Sequence, residues 1–106
     1  MKLDIAAKQL EALGNATRLE VFRTLIQAGQ TGLPVGDIQK RLGIPASTLS
    51  HHIAKLVQTD LIKQDRESRT LYCKANYSTM AQLMTFLMQN CCEADGGNSD
   101  CQQVCK

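Results

Sequence analysis

The sequence predicts a single, mainly α-helical domain that carries one β-hairpin, and three observations lead there. Apolar residues recur at three- and four-residue spacing in five separate stretches. Two of those stretches are joined only by Gly43-Ile44-Pro45, a tight break between helices. Two short segments, Leu61–Arg66 and Arg69–Lys74, flank Glu67-Ser68 as strands flank a turn. At 106 residues the chain suits one domain and leaves no room for two. Apolar residues at 43% and charged residues at 21% are ordinary globular usage, which excludes wholesale disorder. A domain of this size is only modestly stable alone, so a core shared with a second copy is expected.

The elements follow in order. Residues 4–13 form the first helix, with Leu3, Ala6, Ala7, Leu10 and Leu13 as its stripe and Gly14 as its stop. Asn15 caps the second, whose stripe of Leu19, Phe22, Leu25 and Ile26 runs to about Ala28. Gly29 and Gly32-Leu33-Pro34 make a break. A short helix from Val35 to Leu42 turns Ile38 and Leu42 inward and ends at Gly43. Pro45 opens the next, roughly Ala46–Thr59. After the hairpin, Met80, Leu83, Met84, Leu87 and Met88 draw one stripe from Tyr77 to about Gln89, capped by Asn76 or Ser78. Two helices joined by a three-residue turn, followed directly by a hairpin, make a winged helix-turn-helix.

Net charge is +2, but its distribution is uneven. Residues 36–75 carry seven Lys/Arg against four Asp/Glu, whereas residues 76–106 carry one base against three acids. The basic middle suits a polyanion. No apolar run approaches the roughly 18–20 residues of a membrane span, and Met1-Lys2-Leu3-Asp4 lacks the apolar region of a secretory leader. Four of the five cysteines (Cys91, Cys92, Cys101, Cys105) crowd into the last sixteen positions, and only Cys73 lies in the body. A disulfide framework would spread cysteines along the chain, so the expected compartment is the cytoplasm, where clustered thiols bind metals or act in redox chemistry. The expected organisation is a DNA-binding and dimerisation domain over residues 1–92 and a flexible cysteine-containing tail over 93–106.

On a wheel of the Ala46–Thr59 helix, Leu49, Ile53, Leu56 and Val57 share one face and pack on the domain. The opposite face carries Ser47, Thr48, His51, Lys55 and Gln58. Donors and small hydroxyls without a carboxylate suit the edges of bases in a major groove, with Lys55 meeting a phosphate. A solvated polar face is the plain alternative; the helix-turn-helix arrangement and the basic hairpin favour DNA. His51 and His52 point about 100° apart and do not chelate one ion, so His51 faces DNA while His52 lies on the flank and bonds locally. Arg66 and Arg69 bracket the hairpin tip, where guanidiniums meet a phosphate backbone or a narrow minor groove, or simply keep an edge strand from aggregating.

The stretches Ala16-Thr17-Arg18-Leu19-Glu20-Val21-Phe22, Ser47-Thr48-Leu49-Ser50-His51-His52-Ile53-Ala54-Lys55-Leu56, Leu61-Ile62 and Asp65-Arg66-Glu67-Ser68-Arg69 resemble the arsenical-resistance repressor (ArsR/SmtB) family over roughly residues 5–90. The resemblance implies a homodimeric repressor that pairs through its first and last helices and releases double-stranded operator DNA when a metal or metalloid binds. It implies base reading by Ser47, Thr48, Ser50 and His51, with Arg66 and Arg69 in the wing. Two-fold symmetry then predicts an inverted-repeat operator with half-sites about one helical turn apart. The cysteine pair that many members carry at the start of the third helix is absent, since Leu33-Pro34-Val35-Gly36-Asp37 stands there. The His/Asp/Glu zinc site of another branch is absent too. Asn90-Cys91-Cys92 and Asp100-Cys101 are similar to a smaller group that senses arsenite through C-terminal cysteines, whereas Cys105 has no counterpart.

Arsenite and antimonite take three thiolates in a pyramid, and soft centres prefer sulfur. Cys91 and Cys92 supply adjacent sulfurs, and Cys101 returns through a loop made pliable by Gly96-Gly97. The expected inducer is trivalent arsenic, with antimonite as an alternative, on Cys91, Cys92 and Cys101; Cys105 is either a fourth ligand or a spectator. A Cys₄ zinc or cadmium site remains stereochemically open, although the vicinal pair departs from C-x₂₋₄-C spacing. Cys91 also falls on the Met84–Leu87 stripe, which offers a seam-packing reading, and Cys73 alternates with Leu71 as buried filler. A redox or reactive-sulfur switch would use the same thiols. Catalysis is not expected, because the chain has no C-x-x-C, no anion-cradling loop and no histidine near the tail.

Overall fold

The computed structural model describes residues 1–95, so Cys101 and Cys105 lie outside the described residues. Its elements are α1 (Leu3–Leu13), α2 (Ala16–Ala28), β1 (Leu33–Pro34), α3 (Val35–Leu42), α4 (Ala46–Gln58), β2 (Ile62–Glu67), β3 (Thr70–Ala75) and α5 (Tyr77–Met88). A single 3₁₀ turn, Glu93–Asp95, follows. This is a winged helix-turn-helix, α3 and α4 being the helix pair and β2–β3 the wing.

The local signals work as their chemistry requires. Asn15 accepts from the Arg18 backbone N–H at 3.1 Å and starts α2, and Asn76 accepts from the Thr79 N–H at 3.3 Å to start α5. Gly43 ends α3 in the left-handed region (φ 63°), its N–H bonded to the Gln39 carbonyl at 2.8 Å, and the chain turns directly into α4.

Gly32-Leu33-Pro34, read from the sequence as a break, is instead the approach to a third strand. Leu33 pairs with Cys73 and Pro34 with Tyr72, so the antiparallel sheet has the order β1-β3-β2. Proline is tolerated because β1 is an edge strand that lends few donors. Gly32 makes the approach feasible: at φ 71° a Cβ there would sit 2.2 Å from the Cys73 carbonyl oxygen. The hairpin turn is also one residue later than expected. Glu67 pairs with Thr70, and Ser68-Arg69 forms the loop with Ser68 at φ 57°.

The core gathers Val21, Phe22 and Leu25 of α2, Ile38 of α3, Leu49, Ile53 and Leu56 of α4, and Leu61, Ile62, Cys73 and Ala75. Four expected stripes need correction. In α2 Val21 is buried and Leu19 is exposed, and in α4 Val57 lies at the rim. In α1 the small face of Ala6, Gln9 and Ala12 is buried, which brings the helix close to its neighbours, while Leu3 and Leu10 remain 74% and 42% exposed. In α5 only Leu83 of the stripe is fully buried, and Met84 and Leu87 are 60% and 54% exposed. Two apolar helix faces at the ends of the chain therefore stand open in the single chain. Between α1, the end of α4 and α5 lies a cavity of 460 Å³ bordered by Ile5, Gln9, Thr59 and Gln82.

Candidate nucleic-acid interface and cysteine pair

Helix α4 is held by Leu49, Ile53 and Leu56, and that fixes what it presents outward. Ser47, Thr48, Ser50, His51 and Gln58 are exposed, with no carboxylate on the helix. Pro45 precedes its first turn without a side-chain cap, so the first backbone N–H groups stay available and the positive end of the helix dipole points outward. Lys55 is placed differently from the sequence expectation. Its ammonium leans toward α1, 3.6 Å from Glu11, and the side chain is half-buried. Such a largely solvated pair contributes little, so the ammonium can exchange onto a phosphate.

His52 is on the flank, as expected, but its partner is distant in sequence. Its Nδ1 accepts from Arg18 Nη1 at 3.3 Å, while Arg18 Nε donates to the Ala12 carbonyl at 2.7 Å. Burial, the Arg18 guanidinium and His51 all push the imidazole pKa below its ordinary value, keeping it neutral. Sequence reading missed Arg18; the only available signal was its position three residues after the cap Asn15.

In the wing, Arg66 lies beside Leu71 near the tip and Arg69 is in the loop itself, both exposed. Lys74 pairs with Asp65 at 2.7 Å on the sheet's outer face, so Asp65 does not offset the arginines at full strength. Cys73 is fully buried and receives a 3.6 Å contact from Gln64 Nε2; burial raises its thiol pKa, which leaves it the inert filler expected.

The last helix ends at Met88, so Cys91 lies in a turn, off the α5 stripe on which a seam-packing role depended. Asn90 (φ 59°) and Cys92 (φ 61°) are both left-handed, and the Cys91 N–H bonds the Met88 carbonyl at 3.0 Å. Asparagine tolerates that conformation readily and cysteine does not. The reversal brings the Cys91 and Cys92 sulfurs to 3.5 Å; both cysteines are disulfide-bonded, and Cys73 is the free thiol among the described residues. Among the described residues no three Cys, His, Asp or Glu converge on one point.

The two ends of this arrangement are mechanically joined. The end of α4 passes through Asp60 (φ 64°), whose carbonyl accepts from Asn76 Nδ2 at 3.0 Å and whose carboxylate accepts from Thr79 Oγ1 at 3.1 Å. The start of α5 is thus tied to the residue that terminates α4. Gln9 Nε2 adds a bond from α1 to the Thr59 carbonyl at 3.1 Å.

A family model described as a helix-turn-helix domain matches residues 13–65, half of the chain. The nodulation protein NolR of Rhizobium meliloti is 27% identical over 81 residues, 76% of this chain but 64% of NolR, so the chain spans just under two thirds of that relative. The structure of HlyU from Vibrio cholerae matches with a TM-score of 0.65 at 27% identity, covering 82% of this chain and 97% of that one. The homodimeric winged helix-turn-helix DNA-binding domain of a possible ArsR-family transcriptional regulator from Mycobacterium bovis matches with a TM-score of 0.68 at 27% identity, over 80% and 76% of the two chains. Among the described residues no helix is long and apolar enough to cross a membrane. The chain belongs to the helix-turn-helix domain family and has the winged architecture of ArsR-type regulators.

Proposed function

We propose that this chain is a non-enzymatic transcriptional repressor that binds an inverted-repeat operator as a homodimer and releases it when trivalent arsenic or antimony binds its C-terminal cysteines. The DNA half of this reading is supported by the carboxylate-free outward face of α4, the arginines of the wing, and relatives that are transcriptional regulators by name. The open apolar faces of α1 and α5 support pairing of two copies.

The observation that carries the sensing half is the pair of adjacent cysteines. Two adjacent cysteines with sulfurs 3.5 Å apart, disulfide-bonded here, lie at the end of a helix whose apolar face is open; once reduced, they would suit a soft centre and place it where the dimer seam would feel it. Cys101, outside the described residues, supplies the third sulfur, and Cys105 is the candidate fourth ligand of a zinc or cadmium site. Coupling of about 1–3 kcal/mol between the sites would loosen the operator roughly 5–150-fold, and by linkage operator DNA would weaken arsenite binding equally.

A redox switch on the same thiols is the second reading. One solved relative, at 27% identity, is described by its redox state as reduced HlyU. Operator binding with and without arsenite, under reductant throughout, decides between them. Cys91→Ser, Cys92→Ser and Cys101→Ser should each abolish release while sparing binding of the metalloid-free protein. Release that survives the triple variant places the sensing site elsewhere.

A further inference from the structure

We propose that Arg18 and His52 are positioning residues for DNA reading: the guanidinium holds α4 at its working angle through the neutral imidazole, and protonation of His52 releases it. This rests on the DNA reading above.

The geometry is directional. Arg18 is fixed at three points: its backbone N–H on Asn15 Oδ1 at 3.1 Å, its Nε on the Ala12 carbonyl at 2.7 Å, and its Nη1 on His52 Nδ1 at 3.3 Å. The first two anchor it to the α1–α2 corner, so the third transmits the position of that corner to α4. Arginine has no acceptor and stays charged, so the contact exists only while Nδ1 keeps its lone pair, with the imidazole proton on Nε2. His52 is adjacent to His51, and the two ring centroids are 6.1 Å apart. A rotation that frees His52 therefore moves His51, Thr48 and Ser47 relative to the bases.

The buried face of Leu49, Ile53 and Leu56 holds α4 against the core, but apolar contact is non-directional. Three polar ties join it to its neighbours, with Gln9 to the Thr59 carbonyl and Arg18 to His52 setting the angle and the solvated Lys55–Glu11 pair adding little. The charged and titratable groups that act on the imidazole are Arg18 from α2 and His51 on α4 itself. Of the three ties, only the Arg18–His52 contact contains a group that changes charge between pH 5 and 8.

The sign follows from linkage. Burial and Arg18 depress the His52 pKa in the held state, whereas a released imidazole titrates near 6.5. The released state therefore binds the extra proton. The tie is fully present above about pH 6.5 and is lost as pH falls through the depressed value.

The test uses duplex DNA selected by the native chain from a random pool. Affinity is measured from pH 8 to 5.5 beside an NMR titration of the His52 ring. The native chain should lose about tenfold in affinity toward pH 5.5, the scale of a hydrogen bond to a charged group. His52→Asn, whose Oδ1 accepts the same bond without titrating, should bind as the native chain does at pH 8 and lack that acid loss. His52→Lys should bind weakly at every pH, and Arg18→Gln should move the His52 titration up toward 6.5. Identical pH profiles for the native chain and His52→Asn overturn the proposal, as does a His52 titration unmoved by Arg18→Gln. A native chain that selects no duplex overturns the DNA reading itself, while the NMR titration still reports on the pair.

Discussion

Replacing Met84 and Leu87 together with serine removes the apolar groups that α5 leaves open. Full burial of such a side chain stabilises by about 1.5–3 kcal/mol. Both are already partly covered within the single chain, being 60% and 54% exposed, so roughly half of that, about 1 kcal/mol each, remains for a partner to capture. Two residues on each of two protomers then give about 4 kcal/mol, or roughly a thousandfold in the dimer dissociation constant. Within one protomer the covered half makes the change cost about 1 kcal/mol per residue and no more, because neither side chain belongs to the core. Sedimentation equilibrium across the micromolar range measures the first quantity. Urea unfolding at a concentration where both proteins are monomeric measures the second. A native chain that stays monomeric, or a double variant that dimerises as the native chain does, would refute the reasoning.

Glycine substitutions should split by sign. Gly32→Ala forces a Cβ to within 2.2 Å of the Cys73 carbonyl at positive φ and should cost about 2–4 kcal/mol. Gly36→Ala, with nothing within 4 Å on the α3 helix, should stabilise by about 0.5–1 kcal/mol; thermal unfolding reads both. On selected DNA, His51→Ala should lose about 1–3 kcal/mol against the cognate duplex and far less against random duplex, whereas Arg69→Ala should weaken both and flatten the salt dependence. The Cys73 thiol, buried and raised in pKa, should alkylate only at the rate at which the domain opens, and mass spectrometry with iodoacetamide follows it.

The helices were legible because their signals are local: Asn15, Gly43, Pro45 and Asn76 act on backbone groups within four residues of themselves. Strand β1 was not, since two residues carry no periodicity and pair only with a partner about forty positions away. The stripes of α1 and α5 were correct as patterns but wrong as statements about the single chain, because periodicity marks an apolar face without saying whose core it enters. In α1 two faces compete, and packing took the small residues Ala6 and Ala12 over Leu3 and Leu10. At the candidate site, the outward residues of α4 could be read off a wheel, whereas the Arg18–His52 contact spans 34 positions and had no spacing to announce it. Lys55 shows the same limit: a wheel gives the direction of its Cβ, and four methylenes let the charge settle on Glu11 instead.

The bonds from Asp60 to Asn76 and Thr79 make α5 a lever with its fulcrum beside the recognition helix. Twelve residues span about 18 Å, and the Cys91–Cys92 pair sits beyond the far end. A tilt of about 10° about the fulcrum would carry that end through roughly 3 Å, so a small rotation beside α4 corresponds to a displacement of atomic size at the cysteines. A ligand that draws sulfurs together works on the long arm, where little force is needed. The short arm is stiff because Asp60, Asn76 and Thr79 hold it with directional bonds and Leu83 anchors the helix in the interior one turn further on. On the proposed function, loosening Asn76 or Thr79 would thus leave both the grip on DNA and the affinity for a thiophile in place while disconnecting one from the other.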